Sequence, residues 1–281
     1  MRDLMRDLMP DPTPDPTPGA IPGPMPGPMA AAVPNALIMT GRSLRLSRRN
    51  VDALITALAL PVLLLLIFVY FFGGAINTGT DTRYVTYVVP GVLLLCAGFG
   101  SAGTAVAVTE DLKAGIIDRF RSLDVGGTAI LAGHVLASVA RNLLATALVL
   151  ALAFAIGFRP AATPAAWLAA IALLVAFILA LSWLSAAVGL LAKSPEAANG
   201  YTFFVTFLPY PSSAFVPTDT MPTWLATFSD HQPVTPVIES LRTLLLGQPA
   251  GSTPWVALAW CGGILVGAVV MAGALFRRRV G

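Results

Sequence analysis

The sequence has few charged residues, and this shortage excludes most soluble folds. Only 11% of its 281 residues are Asp, Glu, Lys or Arg, whereas about a quarter is typical of a soluble domain. Hydrophobic residues make up 56% of the chain, and many fall in runs near the ~20 apolar residues that a helix needs to cross a bilayer. The remainder is too short for a large soluble domain. We therefore expect a polytopic membrane protein.

Several kinds of chemistry lack the residues that they need. No G-x-x-x-x-G-K-[ST] sequence occurs, so we expect no nucleotide site in this chain. Cys96 and Cys261 lie in apolar runs without His or Cys neighbours at ligand spacing, which favours small core residues over a disulfide or a metal site. His134 and His231 lie near opposite membrane faces, so neither is expected to form a protease dyad with Ser101. All fourteen acids lie outside the apolar runs or at their ends, unlike those of ion-driven carriers.

Six apolar spans can be delimited along the chain. They are Ala53–Gly73, Val85–Val108, Leu131–Gly157, Ala166–Ala192, Tyr201–Val216 and Trp255–Phe276. Small residues recur within them, including Gly263 and Gly267 at G-x-x-x-G spacing, and these allow helices to approach closely in lipid. The sequence therefore predicts an all-α bundle of six transmembrane helices.

The basic residues are distributed unequally between the two sides of these spans. Eleven of the seventeen lie on one side: Arg42, Arg45, Arg48, Arg49, Lys113, Arg119, Arg121, Lys193, Arg277, Arg278 and Arg279. The opposite side has only Arg83, Arg159 and Arg242. Lys and Arg are retained on the cytoplasmic face, so both termini are expected inside the plasma membrane. This rule also explains the net charge of +3, which we do not interpret as nucleic-acid affinity.

The residues before the first span form two segments. Residues 1–34 contain the tandem repeats MRDL-MRDL, PDPT-PDPT and PGPM-PGPM, with dense proline and no aromatics, and we expect a disordered cytoplasmic tail. Residues 36–51 combine apolar residues near a helical period with arginines, which fits an amphipathic helix on the inner membrane surface. Within the third apolar run, Arg141 is expected to mark the cytoplasmic end of the span.

The longest external stretch, residues 217–254, contains signals of a short helix. Thr235 is a plausible N-cap, Pro236 suits the first helical position and Gly247 suits the C-terminal stop. An apolar face is predicted from Val237, Ile238, Leu241, Leu244 and Leu245, with Glu239 and Arg242 on the polar side. About eleven residues would extend only ~16 Å, so this helix is expected to lie in the outer interface or to re-enter part way.

The cytoplasmic loop between spans two and three, residues 110–124, is dense in charge. It has four acids and three bases, and an apolar set at helical spacing: Ile116, Ile117, Phe120 and Leu123. Two interpretations stay open from composition alone. The loop is either a solvated connector resting on the membrane or a helix that docks in a groove of a cytoplasmic partner.

Taken in order, these features resemble the membrane subunit of ABC-2 type exporters, most closely the daunorubicin-resistance-type permeases. The resemblance covers about residues 36–279 and begins with the Arg-rich sequence before span one. The further matching residues are Pro61, Phe72-Gly73, Glu110, Asp111, Gly115, Arg119, Arg121, Phe215-Val216-Pro217, Met221-Pro222-x-Trp224-Leu225, Pro233-Val234-Thr235 and Leu241-Arg242-x-Leu244-x-x-Gly247. These permeases often have a proline soon after the Arg-containing loop, where this chain reads Leu123-Asp124-Val125-Gly126.

The resemblance implies a six-span transmembrane domain of the type V exporter-like architecture over residues 35–281. It implies a dimer of permeases, by preference two identical copies, working with two separate ATPase subunits that bind ATP and Mg. The loop is similar to a coupling helix, with the ATPase contacts at Glu110, Asp111, Gly115, Arg119, Phe120 and Arg121. The helix in the external stretch is interpreted as a gate, with Val237, Ile238, Leu241, Arg242 and Leu245 as its residues.

The implied activity is export of a hydrophobic or amphipathic small molecule, such as an antibiotic. A permease for a lipid or polysaccharide, and a scaffold or channel without ATP coupling, stay as alternatives. In the fifth span Phe203, Phe207 and Tyr210 lie at i, i+4 and i+7, which is typical either of ordinary lipid-facing or core bulk or of a cargo path. The candidate residues for the cargo path and dimer interface are Phe68, Phe72, Phe99, Phe203, Phe207 and Tyr210.

Overall fold

The computed structural model describes most of the chain from the first apolar run onward. The described residues are 51–76, 83–116, 127–249 and 251–280, with side chains for all of these except 51–57, 127–128 and 279–280. Every regular element in these ranges is a helix, which confirms the predicted all-α class. The helices are α1 (Val51–Leu66), α2 (Tyr84–Lys113), α3 (Gly127–Ala155), α4 (Pro164–Leu191), α5 (Pro195–Phe207), α6 (Thr223–His231), α7 (Val234–Leu245) and α8 (Thr253–Val280).

Two short segments of other helix types extend this set. A π-helix, Ile67–Phe72, continues α1 directly, so the two together cover most of the first predicted span. A 3₁₀-helix, Thr218–Thr220, precedes α6 in the external stretch. The external stretch therefore holds α6 as well as α7, where the sequence predicted one helix.

Four of the helices are long and apolar enough to cross a membrane. They are α2, α3, α4 and α8, and they match the second, third, fourth and sixth predicted spans. The other two candidates, α1 and α5, have only 16 and 13 residues. The described residues therefore do not confirm a count of six transmembrane helices.

The predicted fifth span, Tyr201–Val216, differs from the helix found there. Helix α5 begins earlier, at Pro195, and ends at Phe207, after which the chain continues in turns. The helix ends because Pro209 and Pro211 have no backbone N–H and their rings clash with the preceding turn. The predicted fifth span is therefore helical only in its first part, up to Phe207.

Capping residues explain where α4 and α5 begin. The Ser194 hydroxyl accepts a hydrogen bond from the Ala197 backbone N–H at 3.2 Å, and Pro195 occupies the first turn of α5. Thr163 and Pro164 open α4 in the same way. Serine or threonine at the N-cap with proline just inside the helix is a favoured start. The hydroxyl accepts a hydrogen bond from one unpaired N–H of the first turn, and proline has no N–H that needs a partner.

Helix α2 is the central helix of the bundle. It packs against α1, α3, α4, α5 and α7. Of its most hydrophobic stretch of 18 residues, 67% are buried within the subunit, against 22% for the corresponding stretch of α8. Its fully buried side chains include Val88, Leu94 and Leu95. Cys96 in α2 and Cys261 in α8 belong to the same core, as the sequence predicted. The second span is therefore the element around which the others are arranged.

Small residues bring α2 close to α4. A Cβ at Gly189 would lie 2.5 Å from the carbonyl oxygen of Ala105, so only glycine fits this crossing. Close backbone approach of this kind is how helices gain packing energy in lipid. Gly263 and Gly267 behave differently, since a Cβ on either would meet no atom within 4 Å in the described part of the chain. Among the described residues, no atom packs against their G-x-x-x-G face in α8.

Two predictions about the expected cytoplasmic side stay predictions. Helix α3 begins at Gly127 and continues through Arg141 to Ala155, so Arg141 lies near the middle of a continuous helix. That Arg141 marks the cytoplasmic end of the membrane-crossing part stays a prediction. The predicted tail, residues 1–34, and the surface helix up to residue 50 lie outside the described residues.

Candidate functional site

The predicted aromatic stripe is present on α5 and in the turn that follows it. The ring centroids of Phe203 and Phe207 are 5.1 Å apart, and Phe207 stacks on Tyr210 at 4.5 Å. Phe203 and Phe207 are 56% and 48% exposed in the single chain. The opposite face of α5 carries Thr202 and Thr206, which are buried against the bundle. The stripe therefore lies on the surface of the subunit, away from its core.

Phe215 extends this stripe to the first helix. Its ring lies 5.7 Å from Tyr210 and stacks on Phe68 at 4.1 Å, and Phe68 lies 5.5 Å from Phe72. We call the resulting set of six rings the aromatic chain: Phe72, Phe68, Phe215, Tyr210, Phe207 and Phe203. Stacked and tilted pairs at these separations are favourable arrangements for aromatic side chains.

The aromatic chain differs from the predicted set at two positions. The sequence places Phe215 only in the external motif Phe215-Val216-Pro217. Because Phe215 follows α5 across an irregular turn, helical spacing cannot connect it with the stripe. Phe99 was predicted to belong, but no ring contact among the described residues joins it to the chain. It packs half-buried against the core of the bundle.

Arg242 of α7 is buried, although its helical position predicted an exposed polar side. Its guanidinium donates to the carbonyl oxygen of Ser213 at 2.6 Å and to that of Tyr87 at 3.3 Å. It also lies 3.7 Å from the centroid of the Tyr87 ring and pairs with Glu239 one turn earlier. A buried cation is costly unless carbonyls, a ring face or a carboxylate compensate it, and here all three do.

The same network holds the backbone that follows α5. The Tyr84 hydroxyl donates to the carbonyl of Phe215 at 2.8 Å, and the Tyr87 hydroxyl donates to that of Ser213 at 3.1 Å. With Arg242, these side chains attach residues 213–215 to both α2 and α7. The middle of the aromatic chain, at Phe215, is therefore fixed in place by hydrogen bonds.

The prolines after α5 have protein partners for their carbonyls. The Pro211 carbonyl accepts hydrogen bonds from Ser229 at 2.8 Å and from the side chain of Gln232, and the Pro209 carbonyl accepts one from Ser212. A proline also removes the hydrogen bond to the carbonyl four residues earlier, which for Pro209 and Pro211 is that of Val205 and that of Phe207. These two carbonyls accept hydrogen bonds from the N–H of Leu208 at 3.3 Å and from the N–H of Tyr210 at 3.1 Å. They therefore give no independent sign of a water-filled path.

The helix predicted in the external stretch corresponds to α7. Val237, Ile238, Leu241 and Leu245 are all buried, and α7 packs against α2, α4 and α8, so it re-enters the bundle. Thr235 is not its N-cap, since Pro233 occupies that position, and the buried Thr235 hydroxyl has no hydrogen-bond partner among the described residues.

The C-terminal end of α7 matches the prediction. Gly247 has a φ of +65°, and the Gln248 N–H donates to the Thr243 carbonyl at 2.9 Å, which is a Schellman ending. The Ala161 N–H donates to the Leu245 carbonyl at 3.0 Å, so the loop between α3 and α4 is joined to this end of the helix.

The C-terminal end of α2 carries two of the predicted coupling residues. Helix α2 continues to Lys113, so Glu110 and Asp111 lie in its last turn and not in a loop, and Gly115 follows with a φ of +65°. Glu110 is exposed to solvent. Arg119, Phe120 and Arg121 lie outside the described residues. The described part of the coupling segment thus presents one free carboxylate at the end of a rigid helix.

Asp111 is held inside the subunit. Its carboxylate lies 3.1 Å from the Nε2 atom of His134 in α3, and the two side chains are only 13% and 9% exposed. No spacing in the sequence predicts this pair, because Asp111 and His134 lie on different helices with the undescribed residues 117–126 between them. The pair joins the end of α2 to α3 directly.

Glu196 shows that the start of α5 lies near the C-terminal end of α2. Its pKa is held below the ordinary value, first by a hydrogen bond with Ser194 and further by the positive charge of Lys113 at the end of α2. The start of α5 and the end of α2 therefore lie near each other.

A polar cluster, missed by the sequence reasoning, joins α2, α3 and α4 inside the bundle. The hydroxyls of Ser138 and Ser182 are 2.9 Å apart, and the Asn142 amide donates to the Ser138 carbonyl at 3.1 Å and to the Ser101 hydroxyl at 3.3 Å. All four residues are buried. The i, i+4 spacing of Ser138 and Asn142 was the available signal. Hydrogen bonds of this kind fix how transmembrane helices align.

Comparison with known proteins identifies a family and two named relatives. The family model described as "ABC-2 type transporter" matches residues 35–246. The chain is 29% identical over 219 residues to the "Daunorubicin resistance ABC transporter permease protein DrrB1" of Streptomyces coeruleorubidus, covering 78% of this chain and 77% of that protein. It is 26% identical over 246 residues to the "Probable doxorubicin resistance ABC transporter permease protein DrrC" of Mycobacterium tuberculosis, covering 88% of this chain and 89% of that protein.

Proposed function

Because the chain belongs to the ABC-2 type transporter family, we propose that it is the membrane-spanning permease subunit of an ATP-driven exporter. The proposed cargo is a hydrophobic or amphipathic small molecule such as an antibiotic. The observation that carries this proposal is the family match over residues 35–246, joined to two relatives named for daunorubicin and doxorubicin resistance. The chain is a multi-pass membrane protein that serves transport, and ATP hydrolysis belongs to a separate subunit.

The proposed assembly contains two permease copies and two ATP-binding subunits that hold ATP and Mg. Both termini lie in the cytoplasm, as the excess of basic residues on that side of the spans supports. The exposed aromatic chain supports a second copy, since α5 has one face packed on α2 and the other uncovered in the single subunit. The cargo would pass along this uncovered face, where aromatic rings offer contact to apolar molecules.

Coupling to ATP is proposed at the end of α2. Nucleotide can shift the transporter outward only if it binds the outward state better than the inward one. Closure of the ATPase subunits would press on Glu110 and on the undescribed Arg119, Phe120 and Arg121. The pair of Asp111 and His134 would pass that movement from α2 to α3.

The external side of the path is proposed to be gated by α7. Arg242 attaches this helix to the backbone of residues 213–215, which carry Phe215, the ring that joins the two halves of the aromatic chain. A movement of α7 would therefore displace Phe215. The opening of the external gate and the contact with cargo would therefore both depend on residues 213–215.

Efflux measurements test this function. Cells that express the chain with its ATP-binding partner should accumulate less daunorubicin or doxorubicin than cells with either subunit alone. Replacing the P-loop lysine of the partner should abolish the difference, because hydrolysis then stops. The proposal is wrong if the chain neither copurifies with an ABC ATPase nor changes the accumulation of hydrophobic compounds.

A further inference from the structure

A cavity of about 480 Å³ lies at the external end of the bundle. The start of α2, the loop from α3 to α4 and the end of α7 form its walls. The residues that matter most among its lining are Arg83, Thr86, Gly157, Arg159 and Gln248. Its volume falls within the range of about 300–1,000 Å³ that is usual for small-ligand sites. The cavity is separate from the aromatic chain, none of whose residues lines it.

The charge of the cavity is positive. Arg83 and Arg159 both line it, and none of the described lining residues is acidic. The positive-inside rule leaves few basic residues on the external face, and two of the three found there converge on this one cavity. Orientation in the membrane does not explain them, so a local cause is required.

The two arginines differ in the hydrogen-bond acceptors that the protein provides for their guanidinium groups. The Nη1 atom of Arg159 donates to the carbonyls of Phe154 and Phe158, both at 2.8 Å, and so caps the C-terminal end of α3. Within the described part of the chain, no acceptor or carboxylate pairs with the guanidinium of Arg83. Arg159 is therefore partly structural, whereas Arg83 keeps its donors for a ligand.

Gly157 closes α3 beside the Arg83 guanidinium. Its φ of +108° ends the helix in a left-handed turn, with the Phe158 N–H donating to the Ala153 carbonyl at 2.9 Å. A Cβ at this position would lie 3.4 Å from the Nη1 atom of Arg83, so the guanidinium lies in van der Waals reach of this turn. The end of α3 thus holds both arginines at the same wall.

The level of the cavity in the membrane identifies the anion. Trp167 and Trp255 lie in the first turns of α4 and α8, beside the loops that form the cavity, and Trp255 is 73% exposed. Tryptophan is enriched at the membrane–water interface, where lipid headgroups lie. The abundant anion at that level is phosphate, which arginine binds with paired, charge-assisted hydrogen bonds.

We propose that this cavity binds the phosphate of an acidic phospholipid headgroup from the outer leaflet, with Arg83 as the principal ligand and Arg159 as the second. The headgroup would join the start of α2 to the end of α3 and the end of α7. The site does not depend on which compound the protein exports.

Native mass spectrometry of the full chain tests the proposal. Protein from nanodiscs of phosphatidylcholine and phosphatidylglycerol should retain phosphatidylglycerol in preference to phosphatidylcholine. Arg83→Gln should reduce that retention roughly fivefold, the effect of one arginine at an anionic membrane surface. Arg83→Lys should keep most of it, because the charge remains. Lys193→Gln is the matched control, since it removes an exposed cation from the opposite face.

Two further measurements complete the design. Arg83→Gln should elute and melt like the unchanged protein, because Arg83 has no described protein partner to lose. Inorganic phosphate at millimolar concentration should not displace the retained lipid. Displacement by free phosphate would overturn the lipid assignment. Equal retention of phosphatidylglycerol by Arg83→Gln, Lys193→Gln and the unchanged protein would overturn the site itself.

Discussion

At the scale of single residues, Arg242 illustrates the difference between a helical pattern and its surroundings. The spacing of apolar residues in α7 leaves Arg242 on the polar side of the helix. The structure buries that side as well, because α2 and the turn after α5 supply carbonyls and a tyrosine ring. A sequence shows the faces of one helix, but it does not show which backbone groups another segment will bring to them.

We expect Arg242→Leu to destabilise the protein by about 2–3 kcal/mol, the effect of losing hydrogen bonds from a buried charged donor. The carbonyl of Ser213 would keep only its bond from Tyr87. Thermal unfolding in detergent measures the change. Arg278→Leu serves as control, since Arg278 is exposed at the end of α8. Equal melting of the two variants would show that the buried network contributes nothing.

Gly100 and Gly103 form a matched pair within α2. A Cβ at Gly100 would collide with the carboxamide of Asn142, whose hydrogen bonds within the polar cluster oppose its displacement, whereas a Cβ at Gly103 meets open space. Gly100→Val should therefore cost about 1–3 kcal/mol of stability, as overpacking of a core does. Gly103→Val should have little effect beyond that of any valine in a helix. The same melting experiment compares them, and equal losses would contradict the described packing.

At the scale of elements, the aromatic stripe on α5 was predictable and its continuation was not. The i, i+4 and i+7 spacing of Phe203, Phe207 and Tyr210 follows from the helical period. Phe215 and Phe68 join them only through the turn after α5, whose course depends on hydrogen bonds to α2 and α7. Helical spacing therefore predicts which rings share a face of α5, but it does not predict which rings lie beside them beyond the end of that helix.

Replacing Phe203 and Phe207 by alanine should change transport rate or cargo preference by about tenfold or less, while expression and binding of the ATPase stay unchanged. The estimate follows from the ~0.5–1.5 kcal/mol of an aromatic contact. Phe228→Ala is the control, because Phe228 is similarly exposed but lies on α6 outside the aromatic chain. Efflux of two unrelated compounds provides the measurement.

Cysteines placed on the same stripe test the dimer interface. Phe203→Cys or Phe207→Cys should form disulfide-linked dimers on oxidation in membranes. The native Cys96 and Cys261 are buried and should not interfere. If neither position cross-links and the double alanine variant transports normally, α5 faces lipid and the path lies elsewhere.

The end of α2 allows a sharper test than reversing all its charges together. Glu110→Lys should weaken copurification with the ATPase, since Glu110 is exposed at the cytoplasmic end. Asp111→Asn should leave copurification intact but lower transport per ATP hydrolysed, because Asp111 contacts His134 within the subunit. Pull-down and ATPase assays separate the two effects. Loss of binding in both variants would show that Asp111 also faces the partner.

At the scale of the whole molecule, composition and charge distribution predicted the helical class, the membrane location and four of the spans. They could not set the ends of α5, because proline position and turn hydrogen bonds decide where a short helix stops. They also could not place α7 inside the bundle, since re-entry depends on the space that α2, α4 and α8 leave between them. Length and hydropathy predict crossing helices better than partial ones.

Deletion of residues 1–34 should leave membrane insertion and transport nearly unchanged. The segment is rich in proline and short repeats and lacks aromatic residues, so it contributes no core. Expression level and efflux of the shortened chain provide the comparison with the full chain. A complete loss of insertion would show that the repeats have a role in targeting.

The central position of α2 has a consequence for how the protein is made. The Tyr84 hydroxyl finds its acceptor at Phe215, 131 positions later in the chain. A ribosome that adds 5–20 residues per second needs roughly ten seconds to reach that residue. During this interval the second span lies in the membrane without its later neighbours. Helix α2, whose hydrophobic stretch is the most buried among the four long spans, therefore waits longest for its partners. We expect factors that protect unassembled membrane helices to be needed longest at α2.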